Sequence, residues 1–292
     1  MNQDHHRERQ KRSRPADQLI MKTIPRTGEK VPAIGLGTYS VFDVGPQEAE
    51  RGPLREVLRL FVMTGGSLVD SSPMYGQSES VVGMLSEELG LQKRLFLATK
   101  VWTTGREAGI RQMSASFRLM RTNRIDLMQV HNLADWEVHF RTIREWKEQG
   151  KVRYSGITHY TAGAYSAVER VMRKERPDFV QINYSPASRE ADERILPLAQ
   201  DLGIAVVANR PLDTGRLFTM VRSRALPAWA NELGCTNWSQ FFLKFVISHP
   251  AITCAIPATS NPEHLRDNMR ACVGSLPNAA ERERMASYVE RR

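Results

Sequence analysis

Asp70, Tyr75, Lys100 and His131 stand at or just beyond the ends of short apolar runs in the first half of the chain. A carboxylate, a phenol, an ammonium and an imidazole in such places need partners, because a buried charge without one is strongly disfavoured. A phenol has an unperturbed pKa near 10, and a neighbouring ammonium favours its ionised form, which predicts a lowered pKa for Tyr75. Asp70 would in turn stabilise the ammonium. The set forms a proton donor for a developing alkoxide, with an imidazole able to orient a carbonyl oxygen. None of these groups can donate a hydride, so carbonyl reduction would require a nicotinamide cofactor. Singly, each residue has an ordinary explanation as a packed ring or a solvated charge. Together, the four are far harder to explain in that way.

Residues so far apart must be brought together by the fold. Apolar runs at 33–39, 67–71, 95–101, 125–131, 153–158, 179–184, 204–209 and 253–257 read as strands. Segments of helical period lie between and after them, at 47–64, 78–89, 107–121, 136–149, 162–174, 189–202, 237–248, 262–272 and 278–290. Eight strand–helix pairs within roughly 260 residues predict an α/β fold, a (β/α)8 TIM barrel. Residues 20–24, the turn-like Arg26-Thr-Gly-Glu29 and Val31 predict an N-terminal hairpin capping the bottom of the barrel. The glycines of Ala33-Ile-Gly-Leu-Gly-Thr38 have the wrong spacing for a dinucleotide-binding fingerprint. Barrel active sites form at the C-terminal strand ends. There the polar residues are Thr38, Asp70 with Tyr75, Lys100, His131, Thr158 with His159, Gln181 with Tyr184, Asn209 with Arg210, and Thr259.

Composition narrows the class. The 292 residues are 41% hydrophobic and 25% charged, which excludes collagen-like, coiled-coil and wholly disordered chains. No apolar stretch approaches the roughly 18 residues of a membrane-spanning helix, so no membrane partner is expected. Cys235, Cys254 and Cys272 are too scattered for a disulfide framework or a metal site and read as buried thiols. The formal charge is +9, but residues 1–15 hold five Lys or Arg against Asp4 and Glu8, which leaves about +6 for the rest. The expected organisation is a poorly ordered basic tail at 1–18 and one barrel domain at 19–292. The tail lacks aromatic interleaving and an apolar signal core, so no nucleic-acid partner and a cytoplasmic location are expected. Oligomeric state is not legible.

At this point the motifs resemble a known family, the aldo-keto reductases. Val69-Asp-Ser-Ser-Pro-Met-Tyr-Gly-Gln-Ser-Glu79, with Val82-Gly83, resembles the family signature, with Asp70 and Tyr75 at its catalytic spacing. Leu97-Ala-Thr-Lys-Val101 resembles the segment of the catalytic lysine, and Ile125-Asp-Leu-Met-Gln-Val-His131 that of the histidine. The match runs from about residue 22 to 273. The resemblance implies that Tyr75 is the proton donor, Lys100 tunes its pKa, Asp70 pairs with Lys100, and His131 orients the substrate carbonyl. It also implies a small-molecule aldehyde or ketone, hydride transfer from NADPH (NADH being possible), and no metal.

The implied cofactor residues are Gly37, Thr38, Asp70, Thr158, His159, Gln181, Asn209, Arg210, Thr259, Ser260, His264, Asp267 and Asn268. Several depart from the family pattern. His159 replaces an amide expected at the cofactor carboxamide, and Asn209 replaces a tyrosine that stacks on the nicotinamide. Either another aromatic substitutes or hydrogen bonds hold the ring. Ala258 and His264 replace two cations of the adenosine-phosphate segment, where a helix N-terminus would still favour phosphate. Tyr39, Trp102 and Trp136 are the expected substrate walls, with Phe42, Asn132 and Tyr184 as further candidates. The rival reading is a non-catalytic nicotinamide-binding sensor or regulatory subunit on the same barrel.

Overall fold

The structure is a computed structural model and describes residues 18–291. Strands β1 (Met21–Thr23) and β2 (Lys30–Pro32) pair antiparallel. Eight parallel strands follow in consecutive spatial order: β3 (Leu36–Gly37), β4 (Leu68–Asp70), β5 (Phe96–Val101), β6 (Ile125–His131), β7 (Val152–Thr158), β8 (Phe179–Asn183), β9 (Ala205–Asn209) and β10 (Ile252–Ala255). Parallel bridges from Ile34 to Ala255 and from Gly37 to Ala258 close the barrel. The helices are α1 (Glu48–Met63), α2 (Ser78–Glu88), α3 (Arg106–Leu119), α4 (Trp136–Glu148), α5 (Tyr165–Glu175), α6 (Ile195–Leu202), α7 (Arg216–Met220), α8 (Trp238–Ser248), α9 (Pro262–Arg270) and α10 (Ala279–Glu290).

Alternation along each strand sorts the apolar residues into two buried sets. Leu68, Phe96, Leu127, Tyr154, Phe179, Val207 and Cys254 fill the barrel interior, and Ile24 and Val31 of the hairpin join them. The opposite faces, including Val69, Leu97, Met128 and Val180, pack with the helices. Amphipathic spacing makes this possible, as in α4, which buries Phe140, Ile143 and Trp146 on one side. The hairpin covers the N-terminal strand ends, where Arg153 bridges Asp126 (2.8 Å) and Glu29 (2.5 Å). That is the expected bottom cap.

The first barrel strand is two residues long rather than the expected seven. Its backbone runs so close to the next strand at the seam that a Cβ on Gly37 would lie 2.8 Å from the Ile256 carbonyl oxygen. The Gly-Leu-Gly run therefore closes the barrel. Likewise a Cβ on Gly83 would fall 2.1 Å from the Leu119 carbonyl, which accounts for glycine where α2 meets the end of α3. The helix expected over 189–202 begins only at Ile195, after a single 3-10 turn at Glu190–Asp192. Pro197 lacks an N–H and clashes with a preceding helical turn, so a helix can start no more than a few residues before it. The short α7 and the 3-10 turn Ala228–Leu233 occupy a segment where no element was expected. The basic tail lies, except for Gln18, outside the described residues. Among the described residues no helix is long and apolar enough to cross a membrane.

Candidate active site

Asp70 ends β4, Lys100 is the penultimate residue of β5, and the sheet register sets Lys100 beside Gln129 of β6. Lys100 is fully buried. Its Nζ donates to Asp70 Oδ2 and to the Ser71 carbonyl oxygen, both at 2.7 Å. It also lies 4.8 Å from the centre of the Tyr75 ring. The other oxygen of Asp70 accepts from Gln129 Nε2 (3.0 Å) and Gln181 Nε2 (2.9 Å). Both charges of this buried pair are thus fully engaged, the condition under which such a pair persists.

Tyr75 sits on the loop after β4, with the edge of Tyr39 5.0 Å and the imidazole of His131 5.9 Å from its ring centre. His131 Nδ1 lies 3.0 Å from Ser72 Oγ. Ser72 Oγ also accepts the Met74 N–H at 3.4 Å and has a proton of its own to offer Nδ1. When Nδ1 accepts that proton, a neutral imidazole carries its own on Nε2.

Burial raises the Tyr75 pKa; Lys100 opposes this and Asp70 reinforces it, and the net shift is upward. This corrects the expectation of a lowered phenol, because desolvation outweighs the ammonium's attraction. Burial works against the charge on Lys100, but Asp70 and then Tyr75 raise its pKa overall, so it stays an ammonium. Burial, the charge of Lys100 and His159 hold His131 down to about 3. At neutral pH the site therefore holds a protonated phenol, an ammonium and a neutral imidazole.

Tyr75 and His131 face a cavity of about 1050 Å³, and Lys100 lies buried behind them. Tyr39, Tyr75, Trp102, His131 and Asn132 line one end. Gly37, Thr38, Asp70, Thr158, Gln181, Asn209 and Arg210 also border it, as do Thr259, His264, Asp267 and Asn268. Its contents match what a dinucleotide needs. Asn209 borders it and donates through Nδ2 to the His159 carbonyl oxygen at 3.4 Å. Thr158 donates to Gln181 Oε1 at 3.1 Å, which fixes that glutamine against Asp70. Tyr160 also lines the cavity, with the Arg210 guanidinium 4.4 Å over its ring. An aromatic surface is thus present although Asn209 cannot stack. Asn261 caps α9 through the Glu263 N–H (2.8 Å), beside His264.

Some expected residues stand elsewhere. The Trp136 ring lies under Lys174, 4.8 Å from its Nζ, and does not line the cavity. Phe42 is core, and the buried Tyr184 bonds Asp192 (3.1 Å) and Arg282. His159 lies over Tyr160 and accepts backbone N–H groups of its own loop, off the cavity wall. Ser260 is exposed beside it. Thr38 lines the wall, but its hydroxyl is used on the Asp70 carbonyl and Ser71 Oγ, both at 3.0 Å.

Sequence reasoning missed Ser72, Gln129, Tyr160 and the walls given by Phe218 and Trp238. A signal existed for Gln129: alternation in β6 puts it on the same face as Leu127 and His131. It also missed Glu79, a buried carboxyl that accepts from Thr99 Oγ1 at 2.5 Å and is pushed up in pKa by burial.

Residues 33–283 match the sequence profile of the Aldo/keto reductase family. The chain is 28% identical over 274 residues to the methylglyoxal reductase YeaE of Escherichia coli K12, covering 89% of this chain and 93% of that one. An aldo/keto reductase from Klebsiella pneumoniae, solved with NADP and acetate, superposes with a TM-score of 0.76 at 27% identity, covering 93% of this chain and 97% of its own. A second structure of an aldo-keto reductase from that organism, in complex with NADPH, gives 0.78 at 26% identity, with 93% and 96% covered.

Proposed function

The chain belongs to the aldo/keto reductase family, and we propose that it reduces a small aldehyde or ketone to the alcohol, using NADPH and the groups around Tyr75. The observation that carries this reading is the fully satisfied Asp70–Lys100 pair beneath a phenol that shares a cavity wall with a neutral imidazole. A nicotinamide cofactor held in the cavity would supply the hydride needed to reduce a carbonyl carbon. Thr158, Gln181, Asn209 and Arg210 would hold its nicotinamide end, and Thr259, His264, Asp267 and Asn268 its adenosine end. His131 offers Nε2–H to the carbonyl oxygen, polarising the bond and fixing its direction. Tyr75 transfers its proton to that oxygen as negative charge develops there. Lys100 stabilises the phenolate left behind, and Asp70 holds Lys100 in place. The methylglyoxal reductase relative supports short, oxygen-bearing aldehydes as substrates. Purified protein given a panel of aldehydes and ketones should consume NADPH, read by absorbance; no turnover across the panel would refute the assignment.

The protonation states set the pH dependence. His131, held at about 3, stays neutral, and Tyr75, pushed above its ordinary value, keeps its proton. We expect kcat/KM for reduction to be flat from about pH 5 to about pH 9 under saturating NADPH, declining only as the phenol ionises at higher pH. A transition centred between these limits would show that one of the two groups titrates there.

His264 is exposed at the start of α9, where a permanent cation would meet a 2′-phosphate. His264→Arg should raise the preference for NADPH over NADH about tenfold, measured as the ratio of dissociation constants from tryptophan quenching. An unchanged ratio would remove His264 from the phosphate site.

A further inference from the structure

We propose that Gln112 is a positioning residue for the reaction: its carboxamide clasps the backbone of Trp102 and so holds the indole as the wall against which the substrate binds. The inference rests on the reductase reading above. Trp102 directly follows β5, and the ladder between β5 and β6 ends at Val101 and Val130, so Trp102 leaves the sheet there. At that exit Gln112 of α3 bonds both of its backbone groups. Oε1 accepts the Trp102 N–H at 2.6 Å, and Nε2 donates to the Trp102 carbonyl oxygen at 3.2 Å. A primary amide offers one acceptor and two donors in a plane, and only one orientation of it satisfies both bonds.

Two side chains near the start of the next helix fix the rest of this loop. His139 of α4, fully buried, donates from Nε2 to the Thr103 carbonyl oxygen at 2.7 Å, and Asp135 accepts the Gly105 N–H through Oδ2 at 2.7 Å. The indole itself is 45% exposed, so core packing does not hold it. It lines the cavity, with its ring centre 6.4 Å from that of His131. An aromatic wall beside the group that orients the carbonyl adds to substrate affinity through the area it covers. It adds most when it is already in place, because a ring free to turn must be ordered on binding, at a cost. Gln112 does not line the cavity, so its effect belongs to substrate binding and not to the chemical step.

The test is steady-state kinetics under saturating NADPH with the panel member that the wild type turns over best. Gln112→Met keeps the length of the side chain and its helix-forming tendency and removes both bonds. It should raise KM about fivefold, with kcat and the dissociation constant of NADPH each within about twofold of wild type. Trp102→Ala should raise KM at least as much. Gln112→Met added to Trp102→Ala should then change KM by less than about twofold, because no indole remains to be placed. A purely structural role for Gln112 would instead act in full whether or not the indole is present. A KM within about twofold of wild type in Gln112→Met, a further rise of about fivefold when it is added to Trp102→Ala, or a fall in kcat as large as the rise in KM would each overturn the proposal and leave the reductase reading intact. Failure of the wild type to reduce any member of the panel would overturn both.

Discussion

Tyr75→Phe is expected to lower kcat for carbonyl reduction by about 10²- to 10⁴-fold, the range that positioned general acids contribute. The ring remains to meet Tyr39 and His131, at 5.0 Å and 5.9 Å, so the pocket keeps its shape. Only the hydroxyl is lost, and with it the proton for the carbonyl oxygen. NADPH affinity should stay within about twofold, because the phenol is needed only as charge develops. Steady-state rates together with a fluorescence titration of NADPH check both halves. Near-wild-type turnover would show that the proton comes from another group.

Lys100→Met is expected to abolish activity to a similar degree and to destabilise the fold as well. The ammonium is fully buried, and its removal leaves Asp70, itself 2% exposed, with only the amides of Gln129 and Gln181. Breaking a buried ion pair by removing one partner costs about 3–5 kcal/mol, which should appear as a clear fall in Tm. The double variant Lys100→Met with Asp70→Asn should recover much of that stability, since no uncompensated charge remains, and none of the activity. Thermal unfolding of the two variants separates electrostatics from packing. Equal Tm losses in both would show that the cost comes from the ammonium's other contacts, such as its bond to the Ser71 carbonyl, and not from an uncompensated Asp70.

The reading of β6 shows what a linear pattern can and cannot reveal. Its short apolar run marks the strand, and His131 at its end is a polar residue at a barrel mouth. The turn that follows is another matter. Asn132, Leu133 and Asp135 all have positive φ, with values of 52°, 58° and 45°. That local path carries Trp136 to the start of α4, under Lys174 and away from the cavity. Nothing in the residue types of this stretch specifies so unusual a run of left-handed conformations, because Leu133 ordinarily avoids them. Tyr184 and Phe42 failed as wall residues for a related reason. An aromatic near a strand end fills core or cavity according to its neighbours, and Phe245, stacked on Tyr184, belongs to a helix far along the chain.

By itself the sequence determined the barrel, through eight apolar runs separated by helical patterns, and the identities of Asp70, Tyr75, Lys100 and His131, through their places at run ends. Such features are local, because strand periodicity and the position of a charge relative to an apolar run are properties of consecutive residues. Only the tertiary structure decided the protonation state of the site. The sequence predicted a lowered phenol pKa from the nearness of an ammonium, whereas the folded site buries Tyr75 enough for desolvation to prevail. Likewise it gave Asp70 its two amide donors, from β6 and β8. Desolvation and hydrogen-bond satisfaction depend on everything packed around a group, and barrel closure supplies those neighbours from strands more than a hundred residues apart, as with Asp70 and Gln181.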